Sequence, residues 1–527
     1  MARRRRVYRQ IEGKKRYEHR AKTVVSVSML IIILAFPISV FRARTQTAID
    51  ERATMDMAQV ARNMARGSGF TTNIIRPGLY SSLPRFTKPP DIVNPPLQIW
   101  LLASLPGMKR GTILASPDGT VASLSTFFYL AAAVILYLLE RRILGNRQIA
   151  VATIVYLFNV PLLRAAVSGS GATLGAALVT LLFGMVYADR NKSFLYSFLI
   201  GAVVGLCYLA SYVFLAMLIP VVACKTLRGG ENLPRHLVAT GVGLLLATAP
   251  WMARNAHLGG NLLLAQPFSA VFLGSVEAAK ATGFWGKVSL QYAGLYGNIL
   301  SEYGGVFALP FFLISPLVRG GGEDFRQAKL FLLGGGALVF LFSMLGEGGG
   351  QALAAFVPGA ILVGCKTFID LIGGRAPEQS VARSRMLSAF VALNLVPFTA
   401  AITAAPAAAV DARGRDSRLR SMVDMHSQMH VGEIVMTNAQ EWMAYYGEFN
   451  TLPLPGDRAE LKKWEGEFGQ LRFAAVCPYG TSGPVESMIL RQRVVPPWFI
   501  SEKAYLYPSG EKFFVSADAE DITAVSR

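Results

Sequence analysis

The sequence predicts a polytopic α-helical membrane protein with about eleven transmembrane helices and a small α/β domain at its C-terminal end. Composition, the order of the apolar runs and the placement of charge predict it. Hydrophobic residues fill 52% of the 527 positions and charged residues 16%, with a mean hydropathy of +0.39. An ordinary soluble domain carries roughly 25% charge, so disorder, collagen-like repeats and a plain cytosolic enzyme are excluded. The 52 Lys and Arg against 33 Asp and Glu leave a formal charge of +19. Beyond residue 405 the balance is 13 basic against 16 acidic residues, so the positive excess belongs to the apolar part. In a membrane protein such charge sits in cytoplasmic loops, where it sets topology and meets anionic lipid. No nucleic-acid partner is expected.

Residues 1–22 carry ten Lys and Arg, including the run Arg3 to Arg6, and read as a basic cytoplasmic tail. The apolar run 23–41 that follows exceeds a usual signal-peptide core and precedes many further spans, so it is a retained anchor with its N-terminus inside. Further apolar segments fall at 120–139, 148–163, 172–188, 193–207, 210–224, 236–251, 305–318, 330–345, 352–369 and 386–405. Alternating from an inside N-terminus places the linkers 140–147, 189–192, 225–235, 319–329 and 366–385 in the cytoplasm, and each carries Lys or Arg. That agreement supports the direction of every span. The chain is therefore expected to be a multi-pass membrane protein with its N-terminus in the cytoplasm. Residues 23–405 form the transmembrane domain, 42–110 its large first outside loop, and 406–527 an outside domain.

Within that last region the run EIVMTN, AQEWMAYYGEF, NTLPLP, DRAELKKWEGEFG, LRFAAVCP alternates period-2 and period-3.6 patterns, which predicts strand, helix, strand, helix, strand. Cys207, Cys224 and Cys365 lie in apolar stretches and only Cys477 in the tail, so no internal tail disulfide and no CxxC site is expected. The Gly171/Gly175 and Gly201/Gly205 spacings read as helix-packing contacts. The GSG at 169–171 follows no strand, which excludes a dinucleotide fingerprint. Asp424, His426, His430 and Glu433 read as a solvated approach helix rather than metal ligands, and Trp442, Tyr445 and Tyr446 as core aromatics.

The assigned spans hold almost no ionisable residues, which argues against an ion pump or proton-coupled transporter. The acids gather in the first loop, where Asp50, Glu51, Asp56 and Asp91 sit among ten Lys and Arg. A helix from about 50 to 66 is expected there, with Asp50 and Glu51 at its start, where the helix dipole favours negative charge. The order of residues is specific: Ile49-Asp50-Glu51, then Ala61-Arg62-Asn63-Met64-Ala65-Arg66-Gly67-Ser68-Gly69-Phe70, then Asn94-Pro95-Pro96-Leu97-Gln98-Ile99-Trp100. This resembles the first extracytoplasmic loop of GT-C superfamily glycosyltransferases, such as protein O-mannosyltransferases and bacterial lipid A aminoarabinose transferases. Ala249-Pro250-Trp251-Met252-Ala253-Arg254-Asn255 is similar to the Pro-Trp-x-x-Arg-Asn motif of many bacterial members. Thr437-Asn438, Tyr445-Tyr446 and Leu452-Pro453 resemble their outside domain. Asn94 stands where several members carry Lys or His, and the second outside loop, 164–171, lacks the acid some members place there.

The resemblance implies a GT-C-like fold and transfer of a sugar from a polyprenyl-phosphate donor to a protein, lipid or glycan acceptor outside the membrane. Such a transfer has an oxocarbenium-like transition state and a phosphate leaving group stable as an anion, so one carboxylate that takes the acceptor proton suffices. Asp50 is the expected general base and Glu51 its neighbour. Arg254, Arg62, Arg76, Arg85 and Lys88 are the candidate phosphate ligands, with Arg254 first because its motif supports it. No cofactor is expected. The competing readings are a polytopic lipid or polysaccharide transporter and an inactive relative that binds lipid carrier without transfer.

Overall fold

The computed structural model describes residues 35–44, 49, 51–77, 89–110, 117–144, 150–189, 193–229, 232–259, 307–318, 322–344, 349–373, 380–404, 408–429, 432–469, 471–480, 484–492, 495–496 and 503–515. Most of them are helical. The elements that position the site are α1 (Arg52–Ala65), α2 (Pro96–Ala103), α3 (Asp118–Leu144), α4 (Val151–Leu157), α5 (Val160–Ser168), α6 (Ala172–Ala188), α7 (Phe194–Ala210), α8 (Leu218–Arg228) and α9 (Leu233–Gly259). Beyond these come α10 (Glu323–Met344), α11 (Val357–Gly373), α12 (Ser380–Ala404) and α13 (Ala408–Ser427).

Among the described residues three helices are long and apolar enough to cross a membrane, at Asp118–Leu144, Leu233–Leu258 and Ser384–Thr403. The pair α4 and α5 makes a fourth if its 52° bend counts as one broken span. The run 148–163, expected as one continuous span, is thus broken between Leu157 and Val160. Asn159 caps α5 by accepting from the Leu162 N–H at 3.2 Å, and Pro161, which lacks an N–H, occupies the first turn. The expected run at 210–224 is also interrupted: Ser211 is extended, and a 3-10 turn, Tyr212–Met217, precedes α8. Ala172–Ala188 and Phe194–Ala210 are apolar but short. Large apolar side chains stand outward on these helices, among them Phe127, Leu138, Leu195, Val238 and Leu246. A helix surface that offers this much apolar area to its surroundings suits lipid rather than water.

Small residues let α7 and α9 meet backbone to backbone. A Cβ on Gly201 would fall 1.9 Å from the Thr240 carbonyl oxygen, and one on Gly243 would fall 2.1 Å from that of Phe198. The Gly201/Gly205 spacing is thus a packing contact, whereas Gly171 and Gly175 border a cavity described below. Gly169 closes α5 with φ +82°, a conformation that favours glycine. Where the linkers meet the helix ends, charge is paired: Lys225 donates to Asp189 at 2.7 Å and to the Ser197 hydroxyl at 2.9 Å, and Ser197 in turn meets His236 Nδ1 at 3.0 Å.

After α13 the chain forms β1 (Ile434–Thr437), α14 (Gln440–Tyr446), β2 (Asn450–Leu452), α15 (Arg458–Phe468) and β3 (Phe473–Val476), followed by the hairpin strands β4 (Lys503–Leu506) and β5 (Lys512–Val515). The first five elements follow the order read from the sequence; the hairpin was not anticipated. The sheet order is β2-β1-β3-β5-β4, with β1 parallel to β2 and β3, and β5 antiparallel to β3 and β4. Cys477 is fully buried beside β3, and burial pushes its thiol up to about 12.

Candidate active site

The helix α1 begins two residues after Asp50, which itself lies outside the described residues, as do Arg85, Lys88 and His430. Glu51 occupies the N-cap position with extended backbone, but its carboxylate accepts from the Thr54 hydroxyl at 2.6 Å and makes no cap bond to a helix N–H. The glycine-rich turn after α1 requires its glycines, since Gly67 and Gly69 have φ of +88° and +74°.

One face of α1 carries buried polar residues at helical spacing, Asp56, Gln59 and Asn63, and these fasten the returning loop. Gln59 Nε2 donates to the Thr72 hydroxyl at 2.7 Å, and its Oε1 accepts from the Asn73 N–H at 3.0 Å. Asn63 Nδ2 donates to Asn73 Oδ1 at 2.8 Å. The loop then extends the C-terminal sheet. Ile74 bridges Thr451 of β2 in parallel, with Ile75 N–H to Thr451 O and Thr451 N–H to Asn73 O both at 2.8 Å. The edge of that sheet is therefore covered by the first loop.

Arg62 lies at this junction. Its Nη1 and Nη2 donate to the carbonyls of Tyr445 and Ala444 at 2.6 and 2.9 Å, and Glu448 is 3.5 Å away. Burial lowers its pKa, while Glu448 opposes that. The structure thus places the Arg62 guanidinium against α14, not against the cavity, and we assign it to holding the tail instead of a donor phosphate. Arg62→Ala would leave two buried carbonyls without donors, costing roughly 3 kcal/mol, and should lower the thermal midpoint of the detergent-solubilised protein. An unchanged midpoint would contradict that role. His426 is similarly committed, stacked on Phe449 with Nε2 at 2.5 Å from the Gly447 oxygen. Among the described residues no group of acids, His and Cys could hold a metal ion. Trp442, Tyr445 and Tyr446 are buried core residues, and both tyrosine hydroxyls reach Asp118, at 2.9 and 3.1 Å.

The opposite end of the polar face forms a constellation that the sequence reading did not assemble. Asp56 pairs with Arg76 through Nη2, whose other terminal nitrogen lies 4.0 Å from Asp91. Asn94 Nδ2 donates to both carboxylates, to Asp56 at 2.9 Å and to Asp91 at 2.8 Å. Asp91 also accepts from the Val93 and Asn94 N–H groups, so Asp91 to Asn94 is a side-chain-closed turn that leads into Pro95 and α2. The helical spacing Asp56, Gln59, Asn63 and the Asp-x-x-Asn before the prolines were the available signals. Glu441, in the first turn of α14, feels the charges of Asp56, Arg52 and Arg76, and burial is the main cause that pushes its carboxyl up.

Burial first, then the charge of Asp56, pushes the Asp91 carboxyl above the ordinary aspartate range, against the pull of Arg76. A carboxyl whose folded pKa is raised contributes stability at low pH that is lost as pH rises through the folded value. From neutral pH down towards the ordinary value of about 4, the wild-type thermal midpoint should therefore rise relative to that of Asp91→Asn. Parallel pH profiles for the two proteins would contradict this.

The Pro-Trp motif is tied to the same cluster. Trp251 is buried in α9, and its Nε1 donates to the Tyr212 hydroxyl at 3.2 Å, which donates to the Asn94 carbonyl at 3.0 Å. Arg254 Nη2 donates to the Phe70 and Asp91 carbonyls at 3.2 and 3.0 Å, and Nη1 donates to Asn255 at 2.8 Å. Its guanidinium lies over the rings of Phe70 and Trp251, 4.7 and 4.5 Å from their centroids. Since Thr71 bridges Pro90 and the Asp91 N–H meets the Phe70 carbonyl at 3.0 Å, Arg254 grips the first loop where its two limbs close.

Beside the cluster is a cavity of about 170 Å³. Ala53 and Met57 of α1, Asn94 and Gln98, Gly171 at the N-cap of α6 and Phe214 of the 3-10 turn contribute to its wall. The structure thus brings α1, the Asn-Pro-Pro segment, the 3-10 turn, the Pro-Trp motif and the C-terminal sheet into one connected assembly.

No family model matches the chain, and no curated protein does. Among solved structures, the chain resembles ArnT from Cupriavidus metallidurans bound to undecaprenyl phosphate, with a TM-score of 0.56 at 14% identity over 93% of this chain and 99% of that one. ArnT of the same organism in the apo state matches with the same TM-score, 0.56, at 13% identity over 94% and 99%. The likeness covers nearly the whole of both chains, and it shows a shared fold: this chain is built as ArnT is built.

Proposed function

We propose that the protein is an integral membrane glycosyltransferase that takes a sugar from a polyprenyl-phosphate donor and transfers it to an acceptor outside the cytoplasmic membrane. The observation that carries this reading is the cavity beside the Asp56, Asp91, Asn94 and Arg76 cluster, walled by the start of α1 and by the Asn-Pro-Pro segment. The ArnT structure bound to undecaprenyl phosphate supports a lipid-phosphate carrier as the donor. In the reaction the bond between sugar carbon and phosphate oxygen breaks, the acceptor oxygen bonds to that carbon, and the acceptor proton passes to Asp50. Glu51 stands next to that base. The phosphate leaves as an anion, so no general acid is required. Arg254, Arg76 and Lys88 are the cations proposed to hold it.

The eleven-crossing topology, with residues 1–22 inside and 406–527 outside, belongs to this reading. The native cysteines are all buried, whereas Lys463 on α15 is exposed. Lys463→Cys should therefore react with a membrane-impermeant maleimide in intact spheroplasts. Labelling that requires a broken inner membrane would contradict the orientation. The function itself is tested by mass spectrometry of cell-envelope glycans and lipids with and without the protein. One species should lose a single sugar when the protein is absent and regain it on complementation; identical spectra would overturn the proposal.

A further inference from the structure

Gln98 is 3% exposed and borders the cavity. Its Nε2 donates to the Gly169 carbonyl at 3.1 Å, which fixes the orientation of the amide. Its Oε1 is buried and has no hydrogen-bond partner among the described residues. Buried polar atoms are nearly always partnered, so an orphan acceptor at a cavity calls for a donor. One water would fill only about 10–15 Å³ on the same measure, a small part of the cavity's roughly 170 Å³.

Gly171 sharpens the argument. Its backbone, at φ −64°, suits any residue, so conformation does not demand glycine there. Space does, because a Cβ would lie 2.4 Å from Gln98 Oε1. The Met57 methyl is 3.6 Å from that same position, and methionine, unbranched with three rotatable bonds, yields readily to an incoming group. Gln98, in the first turn of α2, shares the cavity wall with Asn94, whose amide grips Asp56 and Asp91.

We propose that Gln98 is a specificity-determining residue whose Oε1 accepts a hydrogen bond from a hydroxyl or amine of the carrier-linked sugar, in the space that Gly171 leaves open. This inference rests on the glycosyl-carrier reading above. An oxygen that only accepts selects for a donor on the ligand, and bare polyprenyl phosphate offers none at that place.

The test is competition binding read by native mass spectrometry on the full chain in detergent. The probes are undecaprenyl phosphate and the lipid-linked monosaccharide fraction extracted from cells of the source organism. Wild type should retain the glycosylated carrier over the bare one, and Gln98→Met should reduce that preference by roughly three- to tenfold, the worth of one ordinary hydrogen bond, while binding undecaprenyl phosphate as wild type does. Gly171→Ala, which crowds Oε1, should reduce the preference in the same direction and decides the matter if Gln98→Met does not fold. No preference in wild type, or a preference unchanged in the variants, would overturn the role of Gln98. Failure of wild type to bind either carrier would instead overturn the glycosyl-carrier reading, and this inference with it.

Discussion

Asp50→Asn is expected to abolish sugar transfer while leaving lipid-carrier binding nearly intact. Asparagine keeps the size and polarity of the side chain but cannot take a proton. The loss should match what a general base contributes, about 10²- to 10⁴-fold in rate. Because the phosphate leaves without protonation, no second group can take over the step by supplying an acid. A transfer assay with the native donor, run beside a carrier-binding measurement, separates the two effects. Full activity in Asp50→Asn would assign the base elsewhere, and Glu441 and Asp56 would then be the carboxylates to replace next, since each borders the charge cluster.

The second large effect is expected at Arg254. Its guanidinium donates to the Phe70 and Asp91 carbonyls and lies over the Phe70 and Trp251 rings. A lysine can supply charge, but not the planar fork that meets two carbonyls and two ring faces at once. Those contacts hold the first loop, and the proposed role toward the donor rests on the charge: Arg254→Ala should weaken donor affinity by about ten- to a hundredfold, the range of hydrogen bonds to a charged group, and Arg254→Lys, which keeps the charge, by less. Equal donor affinity in wild type and Arg254→Ala would remove Arg254 from the mechanism.

The parts of this molecule legible from sequence are those dictated by local chemistry. The glycine turn at Gly67 and Gly69, the helix at 52–65 and the strand and helix order of the C-terminal sheet follow from positive φ and side-chain periodicity, whereas the break at Asn159-Val160-Pro161 was passed over because the apolar run 148–163 continues through it. The close approach of α7 and α9 was also legible at Gly201 and Gly205.

What escaped were contacts between distant positions. Arg62 sits in the motif as a plausible phosphate ligand, yet its partners are the carbonyls of Ala444 and Tyr445, more than 380 positions away. Asp56, Arg76, Asp91 and Asn94 are individually ordinary loop residues, and only the return of the loop onto α1 makes them one cluster. The role of the loop as an added strand beside β2 has no local signature either, because Asn73 to Ile75 pair with Thr451 through backbone groups alone.

The central claim is that this assembly binds a polyprenyl carrier through its phosphate. The most direct measurement is equilibrium binding of undecaprenyl phosphate and of undecaprenol to the purified full chain in the same detergent. The two lipids share their hydrocarbon, so any difference reports the phosphate site. The account predicts saturable binding of undecaprenyl phosphate at least about tenfold tighter than that of undecaprenol, as charge-assisted bonds require. Equal affinity for the two lipids would contradict it.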